Sequence, residues 1–197
     1  LDFAEEEGTA YIVMEYLHGE SLVSVLRRAR EKGGLPVPHA VRIAVQVARG
    51  LHAAHEATGP DGKPLGVVHR DVSPHNVHVL YSGAAKVLDF GIALASDRLS
   101  EATATGEMKG KPAYMAPEQL TGTHDRRADV WALGVVLWEM LAERRLFRSG
   151  SDGQTIYRVL HDEVSPPSKY RDEVSAELDA AVLRALDRDL SKRFATT

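Results

Sequence analysis

His69-Arg70-Asp71-Val72-Ser73-Pro74-His75-Asn76 is the stretch on which the reading of this chain turns. Two further islands of unusual order follow it, Asp89-Phe90-Gly91 and Ala116-Pro117-Glu118. A lone loop aspartate such as Asp71 or Asp89 is ordinarily just a solvated carboxylate, and each tripeptide alone is weak. Order and setting carry the information. Gly66 to Val68 and Val77 to Leu80 read as short strands on either side of the first island. Ala85 to Leu88 reads as a strand running into the second, since all three are short apolar runs separated by loop chemistry.

Working outward, Tyr11-Ile12-Val13-Met14 follows a Gly-Thr turn and reads as a strand. Ser21 to Ala29 places Leu22, Val25, Leu26 and Ala29 at helical spacing, with Ser21 positioned to cap the start and Lys32-Gly33-Gly34 to stop it. Pro38 opens a second helix, where its missing N–H costs nothing. The stripe Val41, Ala44, Val45, Ala48, Leu51, His52 and His55 carries that helix for about four turns. Thr58 to Gly62 is a loop. Ser96 to Lys111 is polar, Ser- and Thr-rich and without period, and reads as a mobile surface segment. Asp129 to Leu141 is apolar almost all round, the pattern of a helix buried at the domain centre. Ser175 to Asp187 is a final amphipathic helix. No repeat, low-complexity tract or linker interrupts the chain, so one domain is expected over residues 1–197. Few short strands against many helices make the class α+β, mostly helical.

Composition excludes several functions. The apolar share of 44% and charged share of 26% belong to a soluble globular protein, and 197 residues suffice for a real core. A net charge of −4 gives no basis for bulk attraction to nucleic acid or anionic membrane. The absence of cysteine excludes disulfides and thiolate metal sites and fits a reducing compartment. The longest apolar run, Val130 to Trp138, is too short to span a bilayer.

In this order the islands resemble the H-R-D-x-x-x-x-N, D-F-G and A-P-E signatures of the eukaryotic-type (Hanks-type) protein serine/threonine kinases, in particular the bacterial branch. The resemblance runs from Leu1 to Thr197. It implies the helical C-terminal lobe of the kinase fold with its hinge and a short remnant of the N-lobe sheet. It also implies ATP-dependent, Mg²⁺-dependent phosphorylation of Ser/Thr hydroxyls on protein substrates. Such transfer needs an oriented hydroxyl and neutralised phosphate oxygens. By resemblance, Asp71 orients the hydroxyl and accepts its proton. Asn76, across a loop braced by Pro74, and Asp89 offer hard oxygens to Mg²⁺. Met14 corresponds to the gatekeeper and Glu15-Tyr16-Leu17 to the hinge. Glu20 corresponds to a position that contacts ribose or a basic substrate residue; the other reading is a helix-start carboxylate favoured by the dipole. His78 stands where an aliphatic side chain usually lies under adenine. It either stacks on the base or is a rotated, partly solvated histidine.

The same resemblance implies regulation and architecture. Arg70 goes with control by activation-segment phosphorylation, with Thr103 and Thr105 as acceptors, against the alternative of an unregulated Thr-rich loop. Asp129 resembles the aspartate that braces the catalytic-loop backbone, and Arg193 the partner of Glu118. His69 and Phe90, with Leu1, belong to an internal hydrophobic stack. His52, His55 and His75 show no ligand spacing with carboxylates and read as core or surface residues. The catalytic loop lacks the tyrosine-kinase A-A-R or R-A-A pattern, and Gly110 to Glu118 resembles the serine/threonine form G-T-P-x-Y-M-A-P-E. Two positions depart from the family: Ser73 replaces the lysine that contacts the γ-phosphate, and Lys111 replaces the threonine whose hydroxyl meets the catalytic aspartate and that lysine. The cation and the hydroxyl have exchanged places, unless Lys111 is a solvated lysine and Ser73 a harmless replacement.

No Gly-rich phosphate loop, strand lysine or helix glutamate precedes Met14, and the chain stops shortly after Arg193. The chain is therefore expected to be a truncated catalytic domain with an incomplete last helix, inactive as an isolated fragment. Its setting is expected to be cytoplasmic, within a parent that can itself be membrane-anchored. Self-association for autophosphorylation is a further implied partner; nucleic acid is not. Two other readings stay open. A pseudokinase scaffold usually loses one of the two aspartates that Asp71 and Asp89 supply. A small-molecule phosphotransferase of related fold usually lacks A-P-E and a long Thr-bearing segment.

Overall fold

The computed structural model describes residues 2–6, 9–90, 112–122 and 125–197. An antiparallel hairpin, β1 (Asp2–Glu6) and β2 (Thr9–Val13), pairs Asp2 with Val13 and Glu6 with Thr9. A second, three-stranded antiparallel sheet has the order β3 (Gly19–Ser21), β4 (Val77–Leu80), β5 (Ala85–Val87). The middle strand β4 sets His78 opposite Ser21 on one side and Lys86 on the other.

The helices follow the apolar periodicities. Helix α1 (Leu22–Arg30) starts at Ser21, whose hydroxyl accepts from the Ser24 amide at 3.3 Å, as its sequence position indicates. Helix α2 (Val37–His55) buries Ala40, Ile43, Ala44, Val47, Leu51 and His55. Helix α3 (Arg127–Ala142) is buried on almost every face, as its uniform apolarity demands. Helices α4 (Asp152–His161) and α5 (Ala176–Ala185) complete the α-helices among the described residues. Helix α2 packs on α3 from one side and α5 from another. At Gly134 a Cβ would lie 3.0 Å from the Ala185 Cβ and 3.1 Å from a Leu186 methyl, so α3 meets the end of α5 with no room for a side chain. Trp131 stacks on Phe147 with ring centroids 5.9 Å apart. The fold class is thus α+β and mostly helical. Among the described residues no helix is long and apolar enough to cross a membrane.

Some elements differ from the sequence reading. Gly66 to Val68 forms no strand: Gly66 takes a left-handed φ of 63°, outside the extended range, and the two amides that follow the run, of His69 and Arg70, donate to a side chain. Helix α4 has no clear period in the sequence because only Thr155 and Val159 of it are buried, a narrow stripe. The short strands β1 and β3 are additions to the elements expected from the sequence. The segment 96–111 lies outside the described residues, apart from which the remaining helices appear within a few residues of their expected bounds.

Glu118 and Arg193, distant in sequence, form a buried bidentate pair at 2.6 and 3.2 Å. Arg193 also donates to the carbonyls of Asp187 and Arg127 at 3.0 and 2.9 Å, and its guanidinium lies 5.1 Å from the Trp131 ring. Each guanidinium nitrogen has a partner, so breaking the pair strands a buried charge. Arg193→Met alone is expected to lose about 3–5 kcal/mol of stability, and the double change Glu118→Leu with Arg193→Met markedly less. Denaturant unfolding of the two single variants and the double variant checks this; strictly additive losses would contradict it.

Candidate active site

The site is built outward from one buried carboxylate. Asp129, in the first turn of α3, has no solvent exposure. Its Oδ2 accepts from the His69 amide at 2.8 Å and from His55 Nε2 at 2.7 Å, and its Oδ1 accepts from the Arg70 amide at 2.8 Å. Those amides begin the loop that carries Asp71. Arg70 is held at a φ of 67°, a left-handed conformation that an L side chain disfavours by about 1–2 kcal/mol. Hydrogen bonds from both adjacent amides to a desolvated carboxylate are strong enough to offset that strain.

His69 carries the constraint onward. Its Nε2 donates to the Leu88 carbonyl at 2.8 Å, which leaves Nδ1 to accept from the Asp71 amide at 3.3 Å. Its ring packs on Phe90, centroids 4.7 Å apart. The loop also closes on itself: Asn76 Nδ2 donates to the Asp71 carbonyl at 2.8 Å and to Asp71 Oδ2 at 2.9 Å. Leu88 N donates to the Asn76 carbonyl at 2.8 Å, tying the approach to Asp89 to the end of the loop. Asp89 is solvent-exposed and, like Arg70, left-handed, with a φ of 56°. Asp71, Asn76 and Asp89 are therefore held by one hydrogen-bonded frame.

On the hinge side, Met14 and Glu15 are exposed, Leu17 is half-buried, and Glu15 forms an ion pair with Lys86. Glu20 accepts from the Tyr81 hydroxyl at 3.1 Å, which raises the Tyr81 phenol above its ordinary pKa, and lies 3.7 Å from Arg28. His78 is partly buried in the middle strand, and its Nε2 is shielded from solvent with no hydrogen-bond partner among the described residues. Ser73 is fully buried. Arg70 Nε is also buried without a partner among the described residues. Lys111, Thr103 and Thr105 lie outside the described residues.

Three contributors were not legible in the sequence. His55, read as a core or surface residue, is a core residue that is also a direct partner of Asp129; the two stand too far apart in the chain for any spacing rule to connect them. Gln119, next to the A-P-E tripeptide, accepts from the Ala116 amide at 2.8 Å and donates to the Arg70 carbonyl at 3.2 Å, joining that segment to the loop that carries Asp71. Glu139, buried in α3, accepts from the Tyr114 hydroxyl at 2.9 Å, from Arg145 at 2.7 Å and from the Leu146 amide at 3.2 Å. Burial, then the Glu139 charge, push the Tyr114 phenol far up, so it stays a donor.

Residues 1–197 match the protein kinase domain family from end to end. This chain belongs to the protein kinase family. It is 47% identical over 198 residues to the tyrosine-protein kinase MasK of Myxococcus xanthus, covering 100% of this chain and 30% of that protein. It is 34% identical to a probable serine/threonine-protein kinase of Clostridium perfringens, covering 100% of this chain and 27% of that protein. It is 34% identical to the serine/threonine-protein kinase PknB of Mycobacterium leprae, covering 99% of this chain and 30% of that protein. The kinase chain thus spans less than a third of the length of these curated relatives.

Replacing His55 by Leu removes one of the three donors to Asp129 while keeping the site filled. The expected result is a loss of about 1–3 kcal/mol of stability, as for one buried hydrogen bond to a charged group. Hydrogen exchange of the His69 and Arg70 amides should accelerate with it. Unchanged exchange at those two amides would show that His55 does not brace the loop.

Proposed function

We propose that this chain carries the catalytic loop, metal-binding aspartate and substrate-side surface of a signalling kinase that transfers the γ-phosphoryl group of ATP to serine and threonine hydroxyls of proteins. The observation that carries this reading is the Asn76 clamp on the Asp71 carboxylate, in a loop locked onto Asp129. A carboxylate held by its backbone and by one oxygen keeps its other oxygen, Oδ1, for an acceptor hydroxyl. Asp71 orients that hydroxyl toward the phosphorus and takes its proton as the new O–P bond forms.

The donor set also fits a hard divalent cation. Asn76 commits Nδ2 to Asp71, which leaves Oδ1, and Asp89 adds an exposed carboxylate. Among the described residues no group of three or more His, Cys, Asp or Glu could cage a metal, and Mg²⁺ asks for only one or two protein oxygens beside phosphate and water. Bound there, Mg²⁺ would neutralise charge on the phosphate oxygens. Met14, Glu15 and Leu17 flank the base, Glu20 the ribose side, and His78 the face of the adenine, where its unpartnered buried nitrogen favours a ligand contact over a solvated role. Lys111 supplies the cation that Ser73 cannot. The full burial of Ser73 suits a packing role at a position where the family uses a lysine. Arg70, with its unpartnered Nε, is placed to receive phosphate on Thr103 or Thr105. The setting that fits this reading is the cytoplasm, with autophosphorylation through self-association.

Tyrosine as acceptor is a second reading, favoured by the 47% identity to a protein named as a tyrosine kinase. The lack of an A-A-R or R-A-A pattern and the Tyr114-Met115-Ala116-Pro117-Glu118 run favour serine and threonine. Phosphoamino-acid analysis of the substrates and of the kinase itself decides between them: phosphoserine and phosphothreonine are expected, and phosphotyrosine alone would overturn the assignment.

In the full-length kinase, Asp71→Asn is expected to lower kcat by about a hundred- to ten-thousandfold with nucleotide affinity nearly unchanged. Asp89→Ala should weaken Mg-ATP binding as well. Lys111→Ala should cost far more kcat than Ser73→Ala, and Ser73→Lys combined with Lys111→Thr should recover activity beyond either single change. Wild-type kcat in Asp71→Asn would end the catalytic assignment, and full kcat in Lys111→Ala would end the exchange. Mass spectrometry should find phosphate on Thr103 or Thr105 of the active kinase and not of Asp71→Asn.

A further inference from the structure

A cavity of about 410 Å³ opens beside the loop that carries Asp71, lined by His75, the Pro112–Tyr114 turn, Glu139, Arg145, Arg148 and the segment that leads into α4. It borders the loop that holds Asp71, one residue from the Asn76 clamp. A chain that presents its hydroxyl to Asp71 therefore runs past this cavity. Its charges are unevenly available. Glu139 is buried and its carboxylate is already filled by Tyr114, Arg145 and the Leu146 amide, so it has no capacity for a cation on a substrate. Arg145 uses Nη1 for Glu139 and Tyr114, which leaves Nε and Nη2 without a described partner. Arg148 is exposed and forms no ion pair with any described residue. Asp152 is the one accessible carboxylate of the lining, and it sits in the first turn of α4, where the helix dipole already favours it.

Resting on the kinase reading above, we propose that this cavity selects protein substrates carrying an aspartate or glutamate beside the phosphorylated residue, with Arg148 and the outer nitrogens of Arg145 as the receptor. A guanidinium fork with free N–H groups in a partly closed cavity matches a carboxylate bidentately. The internal neutralisation of Glu139 removes the group that would otherwise draw basic side chains. Arg145 thus has two duties: it satisfies a buried carboxylate, and it turns the cavity from cation-seeking to anion-seeking.

The test uses the full-length kinase and a positional peptide set with Ser, Thr or Tyr as acceptor, each flanking position occupied in turn by Glu, Ala or Lys. The expected result is that kcat/KM at one or two flanking positions favours Glu over Lys by about tenfold or more, the size of one charge-assisted hydrogen bond. Arg148→Glu should reverse that preference, a ratio taken within one variant and so insensitive to how much of the protein is active. Phosphorylation of all peptides without regard to flanking charge, or an Arg148→Glu variant that keeps the Glu preference, overturns this inference and leaves the kinase reading standing. No transfer to any peptide by a kinase that binds Mg-ATP counts against the kinase reading itself.

Discussion

The structure depends on a carboxylate that water never touches. Asp129 sits fully buried at the start of the central helix α3, and an ionised group there is costly unless every lone pair is used. Its three donors come from two separate places, the end of α2 through His55 and the catalytic loop through the amides of His69 and Arg70. The carboxylate therefore does what a strand partner would have done for residues 69 and 70, and it does so from a helix. This is why Arg70 can occupy a left-handed conformation that its side chain alone would not choose.

Geometry at the reacting end follows from that anchor. With the amides of His69 and Arg70 fixed, His69 is oriented to bridge the Leu88 carbonyl and the Asp71 amide, and Asn76 closes the loop onto the Asp71 carboxylate. The two left-handed residues, Arg70 and Asp89, thus sit in segments tied to each other through His69, Leu88 and Asn76. Phosphoryl transfer in general asks a protein for little covalent chemistry and much positioning, and a hydrogen-bonded frame anchored on a buried carboxylate suits that demand. The Glu118–Arg193 pair repeats the principle on a second face, joining the A-P-E segment to the end of the chain.

Much of this was legible in the residues. The order of the three islands gave the kinase family, and the all-round apolarity of Asp129 to Leu141 gave the buried helix. Ser21 and Ser175 marked two helix starts that the hydroxyl caps bear out. The resemblance also anticipated the Asp129 brace and the Glu118–Arg193 pair. Three features lay beyond such reading, each for a physical cause. His55 meets Asp129 only because α2 packs on α3, a tertiary fact without local spacing. Helix α4 buries too narrow a stripe to show a period. Arg145 looks like one more surface arginine until Glu139 is seen buried beneath it.

The most direct test of this account is kcat and Mg-ATP affinity of the full-length kinase with Asp129→Asn, a change that keeps shape but removes the buried charge and turns an acceptor into a donor facing an amide. If Asp129 sets the position of Asp71, kcat falls by about a hundredfold or more in a folded variant, while Mg-ATP affinity changes by only a few fold. A folded Asp129→Asn kinase with wild-type kcat would contradict it.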